Sequence, residues 1–185
     1  IENINFGEIN SFQIEKNNEL DLYFEHIQKL VGSEKINKKI KFGVDGGNGA
    51  IGSIFNDLAK IYSFNCDQLY MDVDGNFPNH PADPSNKENL QEIIKLVQEN
   101  SLDFGVAFDG DADRAVFIDD EGKVVSGSMM TTLIADYLYE KNNNLKVVYN
   151  VNVSPHALSI LGSKGVTLFR CKVGHSNIKA MMKEL

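Results

Sequence analysis

Short apolar segments alternate along this chain with segments of helical periodicity, and no other feature limits the fold as strongly. The apolar stretch that ends at Val44 is followed by a segment whose apolar residues recur at helical spacing, namely Ile51, Ile54, Leu58 and Ile61. Strands that alternate with helices of about 10–15 residues form right-handed βαβ units with parallel strands. The alternation therefore predicts an α/β fold with a mixed, mainly parallel sheet and flanking helices, followed by the first half of a similar α/β domain.

The same periodicity divides the chain into regions. Residues 1–18 show no sustained pattern and are predicted to be a connector or the tail of a missing domain, 19–123 a complete α/β domain, and 124–185 the first part of a second. The predicted strands are 39–44, 67–73, 103–108, 115–118, 145–151 and 166–169, and the predicted helices are 20–31, 50–62, 85–100, 129–140, 155–161 and one that begins near 176. The sequence from Ser85 to Glu88 predicts a capping box.

The composition is that of a globular protein that works away from nucleic acid and membranes. Of its 185 residues 42% are hydrophobic and 24% charged, the formal net charge is −8 and the pI is about 5.0. This charge opposes binding to a nucleic-acid backbone or an anionic membrane. No apolar run approaches the ~20 residues of a membrane span, and Cys66 and Cys171 have no metal or disulfide spacing. We therefore expect a cytoplasmic protein, with neither nucleic acid nor a membrane as a partner.

The ends of the chain favour a piece of a longer protein. The chain begins at Ile1 without a methionine, and it stops at Leu185 inside a predicted helix that has no cap. Natural domains rarely stop inside a helix. We therefore expect that this chain was excised from a longer one.

An acidic segment follows the third predicted strand and places three carboxylates at alternate positions, Asp109, Asp111 and Asp113. Close carboxylates repel one another by ~1–4 kcal/mol per pair, and a divalent cation removes this repulsion. Hard oxygen ligands favour Mg²⁺, Ca²⁺ or Mn²⁺, and ligands gather at the carboxyl edge of α/β sheets. We therefore predict a metal site formed by these three aspartates, with a solvated acidic turn as the alternative.

The acidic segment departs from the pattern of a calcium-binding EF-hand loop. Arg114 occupies the position that needs glycine, Asp120 occupies the position that needs glutamate, and the flanking segments are predicted strands. Mg²⁺ keeps few protein ligands and completes its shell with water or phosphate oxygens, which suits three aspartates. Arg114 is placed to pair with an anion brought to that metal, or to form a salt bridge with a neighbouring aspartate.

A glycine-rich turn at residues 47–52 has the spacing G-x-G-x-x-G between a predicted strand and a predicted helix. Asp72 and Asp74 stand near the end of the next strand, where a dinucleotide-binding protein places its ribose-binding acid. The same glycines also serve a tight strand–helix turn. We favour the tight turn because an aspartate cluster has no place in a hydride-transfer site, and a nucleotide-dependent oxidoreductase is the alternative.

The segment 172–179 enters the last predicted helix. Free N–H groups at a helix N-terminus bind anions, and His175 at that point can carry a proton near neutral pH. The alternatives are a helix cap at Ser176 and a histidine that merely lies on the surface.

Four segments, in this order and at this spacing, resemble the α-D-phosphohexomutase superfamily, and within it the bacterial phosphomannomutase/phosphoglucomutase group. They are VDGGNG at 44–49, DGNFPNHP at 74–81, DGDADR at 109–114 and KVGHSNIK at 172–179. The resemblance covers nearly the whole chain. It implies domain II of a four-domain enzyme at 19–123, with a metal-binding loop, and the truncated N-terminal part of domain III at 124–185. The implied reaction interconverts hexose 6-phosphate and hexose 1-phosphate through a phosphoserine enzyme and a 1,6-bisphosphate.

The same resemblance implies roles for individual residues. It gives the Mg²⁺ ligands as Asp109, Asp111 and Asp113, the catalytic residues as Arg114 and His175, and the substrate-binding residues as Gly174, His175 and Lys179. The form Gly-His-Ser-x-Ile-Lys favours mannose and glucose mutases over phosphoglucosamine mutases. The chain lacks the family's phosphoserine motif, and Asn152 stands where some relatives have lysine.

The chain alone is therefore expected to be catalytically inert. The expected partners are a hexose phosphate substrate and the missing domains of the same chain. A stand-alone Mg²⁺- or Ca²⁺-binding module is a further alternative.

Overall fold

The computed structural model describes residues 19–32 and 39–185. The chain divides into two units, Ile1–Lys35 and Ile36–Leu185. In the first unit, helix α1 (Leu20–Val31) forms where the apolar spacing predicts a helix. The predicted connector at 1–18 lies outside the described residues. Within the two described ranges, no helix is both long and apolar enough to cross a membrane.

The second unit contains a five-stranded mixed sheet with strand order β2-β1-β3-β4-β5. Its strands are β1 (Phe42–Asp45), β2 (Cys66–Leu69), β3 (Phe104–Phe108), β4 (Ala115–Asp119) and β5 (Val124–Val125), and its helices are α2 (Gly52–Tyr62), a one-turn 3₁₀ helix (Lys87–Leu90) and α3 (Gln91–Glu99). β1 is parallel to β2 and β3, while β4 is antiparallel to β3 and β5. β3 is therefore central, and the carboxyl ends of β1, β2 and β3 meet at one edge.

Helices cover both faces of this sheet. Because alternate side chains of a strand point to opposite faces, Phe42, Val44 and Val106 share one face, where they pack with residues of α2. On the other face α3 lies directly over Gly43 and Gly105, since a Cβ on either glycine would come within 2.8 Å of an α3 side chain. The glycines thus allow the close approach that makes a three-layer α/β/α domain.

A parallel two-stranded sheet follows in the chain. Its elements are α4 (Gly127–Lys141), β6 (Lys146–Tyr149), α5 (Pro155–Ser163), β7 (Thr167–Arg170) and α6 (His175–Glu184). The side chains of Ser126 and Ser154 cap α4 and α5 by accepting backbone N–H groups of their first turns. Ala135, Leu161 and Val166 form the buried core of this part. The predicted return to an α/β alternation is confirmed.

The fold class is confirmed, two local predictions are corrected, and one strand is added. The strand predicted at 67–73 ends before Tyr70, because that residue adopts a φ of 53° and turns the chain. Strand β5 was not predicted, since its two residues become a strand only by pairing with β4. The 3₁₀ turn before α3 is capped by Asn86, whose side chain accepts the backbone N–H of Glu88, so the expected cap at Ser85 is wrong.

Candidate metal centre

The acidic segment forms the loop of a β-hairpin between the central strand β3 and its antiparallel neighbour β4. The backbone N–H of Asp109 donates to the carbonyl of Arg114 at 3.2 Å, and the N–H of Ala112 donates to the carbonyl of Asp109 at 3.1 Å. Ala112 accommodates this tight turn with a φ of 61°. Residues 109–114, which we call the acidic loop, therefore follow directly from the carboxyl end of the central strand.

The three aspartates converge within the acidic loop. Asp109 is 2% exposed, whereas Asp111 and Asp113 are exposed. One carboxylate oxygen from each residue lies within 4.8 Å of the other two. Oxygens that share one Mg²⁺ at ~2.1 Å lie at most ~4.2 Å apart. Only small side-chain movements separate the triad from that arrangement, so its hard oxygen donors and its spacing fit a divalent cation.

Arg114 holds the buried Asp109 carboxylate through both oxygens. Oδ1 of Asp109 accepts the backbone N–H of Arg114 at 3.0 Å, and Oδ2 accepts the guanidinium Nε–H at 2.6 Å. Burial alone would raise the pKa of Asp109, but these hydrogen bonds and the guanidinium charge outweigh it and hold that pKa below its usual range. Asp109 is therefore ionised at neutral pH, as a metal ligand must be.

The Arg114 guanidinium lies among further carboxylates. Its Nη1 lies 3.4 Å from Asp83, and its Nε lies 3.7 Å from Asp113. The salt bridge to a neighbouring aspartate is thus present. The side chain is nevertheless 57% exposed, and its pairs with described residues use only Nε and Nη1 of a group that carries five N–H donors. The guanidinium is therefore available to an anion at the rim of the acidic loop.

The glycine-rich turn is hydrogen-bonded to protein oxygens and packed closely against protein backbone. The N–H groups of residues 46–50 all donate to protein oxygens, and that of Ala50 reaches the carbonyl of Gly110 in the acidic loop at 2.9 Å. A Cβ at Gly52 would lie 1.8 Å from the carbonyl oxygen of Met71. A dinucleotide-binding turn instead offers free N–H groups to a pyrophosphate. The tight-turn interpretation is thus favoured over the oxidoreductase.

A loop at residues 74–86 contains three prolines and joins the other two loops; we call it the proline loop. The carbonyl of Ala82 accepts the N–H of Gly110 at 3.1 Å. The side-chain amide of Asn79 donates to the side-chain oxygen of Asn48 in the glycine-rich turn at 2.8 Å. The acidic loop is therefore bonded on one side to the glycine-rich turn and on the other to the proline loop.

A histidine–aspartate pair anchors the proline loop. Nε2 of His80 lies 3.0 Å from Oδ2 of Asp45, which is 1% exposed at the end of β1, and Nδ1 lies 2.9 Å from the carbonyl of Pro81. Partial burial lowers the pKa of His80, but the Pro81 carbonyl and the Asp45 charge outweigh it and raise that pKa. Sequence reasoning missed this pair, since 35 positions separate its members; the available signal was an aspartate ending a buried strand.

The remaining predicted site residues lie beyond β7, on the second sheet. Gly174 precedes α6 with a φ of 120°, and His175 is the first helical residue, so the alternative of a cap at Ser176 is wrong. His175 and Lys179 lie one turn apart and line an open pocket of about 230 Å³. Among the described residues, no hydrogen bond or ion pair joins Gly174, His175 or Lys179 to the acidic loop.

The fold and the site define a class. An α/β/α sheet that carries convergent carboxylates and an arginine at its carboxyl edge is typical of enzymes that handle phosphate groups with a divalent cation. Residues 21–122 match the family model described as phosphoglucomutase/phosphomannomutase, alpha/beta/alpha domain II, and residues 126–185 match the model for domain III. The chain therefore belongs to the phosphoglucomutase/phosphomannomutase family, and the resemblance seen in its motifs is confirmed.

Individual relatives agree with this membership. The chain is 36% identical over 172 residues to a phosphomannomutase/phosphoglucomutase of Pseudomonas putida, which covers 93% of this chain and 36% of that protein. It is 35% identical over 162 residues to a phosphoglucomutase of Neisseria gonorrhoeae, covering 88% and 35%. A crystal structure of a phosphoglucomutase/phosphomannomutase family protein from Burkholderia thailandensis superposes with a TM-score of 0.81 at 31% identity, covering 88% and 36%. The chain thus spans about a third of the length of these relatives.

Proposed function

We propose that this chain supplies the metal-binding centre and part of the sugar-binding surface of a phosphohexomutase. The enzyme would interconvert hexose 6-phosphate and hexose 1-phosphate, with mannose and glucose as its sugars. The observation that carries the proposal is the acidic loop, where three carboxylates and an exposed arginine meet at the carboxyl edge of the sheet. The names of the relatives, phosphomannomutase and phosphoglucomutase, support the same reaction.

Mg²⁺ is the proposed metal, with Asp109, Asp111 and Asp113 as its ligands. Two of the three side chains are exposed, so water and phosphate oxygens have room to complete the six-oxygen shell that Mg²⁺ requires. A bound Mg²⁺ supplies charge neutralisation of the phosphoryl group. Arg114 would donate N–H groups to the phosphoryl oxygens, and its bonds to Asp109 keep the two side chains in a fixed relation.

The residues at the start of α6 are proposed to contact the sugar. The backbone turns sharply at Gly174, and the helix N-terminus that follows has N–H groups for oxygen ligands. His175 is exposed and is proposed to accept the proton of the attacking hydroxyl group. Lys179 lies one turn along the same face and is proposed to pair with an oxygen of the substrate.

The proposed reaction needs groups from other domains of the same chain. The hydroxyl oxygen of the sugar phosphate attacks the phosphorus of a phosphoserine, the P–O bond to the serine breaks, and a hexose 1,6-bisphosphate forms. The bisphosphate reorients and returns its other phosphate to the serine. The 185 residues contain no matching phosphoserine motif, so we propose that they are inert alone. A cytoplasmic location suits the two free cysteines, Cys66 and Cys171.

Metal binding tests the first half of the proposal on the chain itself. Calorimetric titration with Mg²⁺ should give one site per chain, and Asp111→Asn should abolish it because the triad loses a charged ligand. Asp120→Asn is the matched control, since Asp120 is also exposed and lies on an acidic turn, the one between β4 and β5. Equal binding by all three proteins, or none by the unsubstituted chain, would contradict a site in the acidic loop.

Turnover tests the second half. The protein encoded by the complete reading frame around this segment should convert glucose 1-phosphate and mannose 1-phosphate to the 6-phosphates in the presence of Mg²⁺. Arg114→Lys should lower kcat strongly, because lysine cannot reproduce the fork of N–H donors. An inactive full-length protein that still binds Mg²⁺ would favour a stand-alone metal-binding module instead.

A further inference from the structure

The histidine of the proline loop has no nitrogen left for a ligand. The carbonyl of Pro81 can only accept, so Nδ1 of His80 must donate to it at 2.9 Å. The contact of Nε2 with Oδ2 of Asp45 at 3.0 Å then needs one proton between the two atoms. Both ring nitrogens thus bond to protein atoms, so His80 acts through the residues that it contacts.

The aspartate that receives this contact is itself fixed. Asp45 ends the buried strand β1, and its other carboxylate oxygen accepts the N–H of Gly47 at 2.8 Å. Strand β1 is paired on one side with β2 and on the other with β3. His80 therefore ties the proline loop to a fully buried strand that is paired on both sides.

The segment after His80 makes the contacts that reach the acidic loop. Ala82 accepts the N–H of Gly110, the residue between two of the aspartates, at 3.1 Å. Asp83 pairs with Arg114 at the far end of the acidic loop. The carbonyl of Gly110 accepts from Ala50, so the peptide groups on both sides of Gly110 are bonded to other loops. The hydrogen bond from the Gly110 N–H to the Ala82 carbonyl therefore depends on the position of the proline loop.

We propose that His80 is a positioning residue for the acidic loop. Its bond to Asp45 places Ala82 and Asp83 so that Gly110 and Arg114 hold the aspartates in their convergent arrangement. This inference rests on the proposed function only in that the aspartates bind a metal. A purely structural role would lower global stability without a selective effect on the acidic loop.

Two substitutions of His80 each remove one of the two contacts of its imidazole ring and keep the other. In His80→Gln the side-chain amide lies near the former Nε2 and keeps a donor for Asp45, whereas in His80→Asn the amide lies near the former Nδ1 and keeps a donor only for the Pro81 carbonyl. Calorimetry should show that His80→Asn weakens Mg²⁺ binding about tenfold, the lower end of the range for groups that orient metal ligands. His80→Gln should lose much less. His156→Asn, at an exposed position on α5, is the control and should bind as the unsubstituted chain does.

Amide hydrogen exchange gives a second reading that needs no metal. The Gly110 amide should exchange several times faster in His80→Asn than in the unsubstituted chain, while the Cys171 amide, bonded to Tyr149 in the second sheet, should not change. A folded His80→Asn chain with unaltered Mg²⁺ affinity and unaltered Gly110 exchange would overturn the inference. If that variant does not fold, His80→Gln decides, because it keeps the Asp45 contact. It should bind Mg²⁺ and exchange the Gly110 amide nearly as the unsubstituted chain does, and a folded His80→Gln chain with an affinity about tenfold lower would overturn the inference.

The two proposals fail in different ways. A chain that binds no Mg²⁺ in any form but shows the Gly110 effect would refute the metal site and keep the positioning role. A chain in which Mg²⁺ affinity and Gly110 exchange are both the same with histidine or asparagine at position 80 would refute the positioning role and keep the metal site.

Discussion

Replacing Gly52 with alanine tests whether the glycine-rich turn exists for protein packing. A Cβ at this position would lie 1.8 Å from the carbonyl oxygen of Met71, and real Cβ atoms do not approach closer than 3.0 Å, so the start of α2 and the backbone after β2 must separate by about 1.2 Å. That movement strains two hydrogen bonds of Asn48, from its N–H to Tyr70 and from its amide to Asp72, both 2.8 Å long.

The expected magnitude follows from these contacts. The loss of two hydrogen bonds destabilises the chain by ~1 kcal/mol each, and overpacking destabilises it by a further ~2 kcal/mol. The higher helix propensity of alanine stabilises it by ~1 kcal/mol. We therefore expect Gly52→Ala to lower the free energy of unfolding by about 3 kcal/mol, a large part of the ~5–15 kcal/mol of a typical domain.

Gly127→Ala is the matched control. Gly127 is likewise the first residue of a helix, α4, but a Cβ there meets no atom within 4 Å. It should stabilise the chain by ~0.4–1 kcal/mol through the unfolded state. Urea unfolding followed by far-ultraviolet circular dichroism measures both changes, provided that the dependence on urea is unaltered. A Gly52→Ala chain within ~0.5 kcal/mol of the unsubstituted one would refute the packing argument and reopen the question of a bound ligand.

Two further predictions concern stability. Ile93→Ala should cost about 2–5 kcal/mol in urea unfolding because Ile93 is fully buried against the sheet, whereas Ile134→Ala, at a position 54% exposed, should cost far less; similar losses would contradict the assigned core. The raised pKa of His80 beside Asp45 and Glu92 means that its contribution is complete below pH ~6.5 and is lost as the pH rises through the folded value. The unsubstituted chain should therefore lose stability relative to His80→Asn as the pH rises above ~6.5, and a constant difference would contradict the ion pair.

Local patterns predicted the elements whose cause is local. The acidic loop follows a short apolar strand with three aspartates in alternate positions, so its place at the edge of a sheet could be inferred from the chain alone. The end of β2 could not be inferred in this way. Tyr70 turns the chain there with a positive φ, its carbonyl accepts the backbone N–H of Asn48, and its hydroxyl donates to the Glu92 carboxylate. Those partners lie 22 positions away on either side, beyond the reach of any periodicity.

The candidate site likewise combines features that local sequence predicts with features that depend on long-range contacts. The spacing of the glycine-rich turn fits a pyrophosphate and a carbonyl oxygen equally well. Only the folded structure distinguishes them, through the position of Met71 and the protein acceptors of the N–H groups at residues 46–50. The convergence of the three aspartates could be predicted from adjacent residues, whereas the contacts of Asp83 and the pair of Asp45 with His80 depend on where the fold places the proline loop. The residue types were visible, but the contacts that give them a role are long-range.

The charges around Arg114 favour a cation as the first ligand of this site. Arg114 pairs with Asp83, Asp109 and Asp113, and Asp111 belongs to the same carboxylate cluster. Four carboxylates and one guanidinium leave a formal charge of −3. A phosphate group carries the same sign and is repelled, and repulsion between unit charges ~4 Å apart reaches ~4 kcal/mol at the effective dielectric constant of a protein surface. Two positive charges from a metal ion would reduce the excess to −1 and leave the exposed side of Arg114 to attract the anion. We therefore expect the acidic loop and its arginine to bind a phosphate ester together with a divalent cation, and not the ester alone.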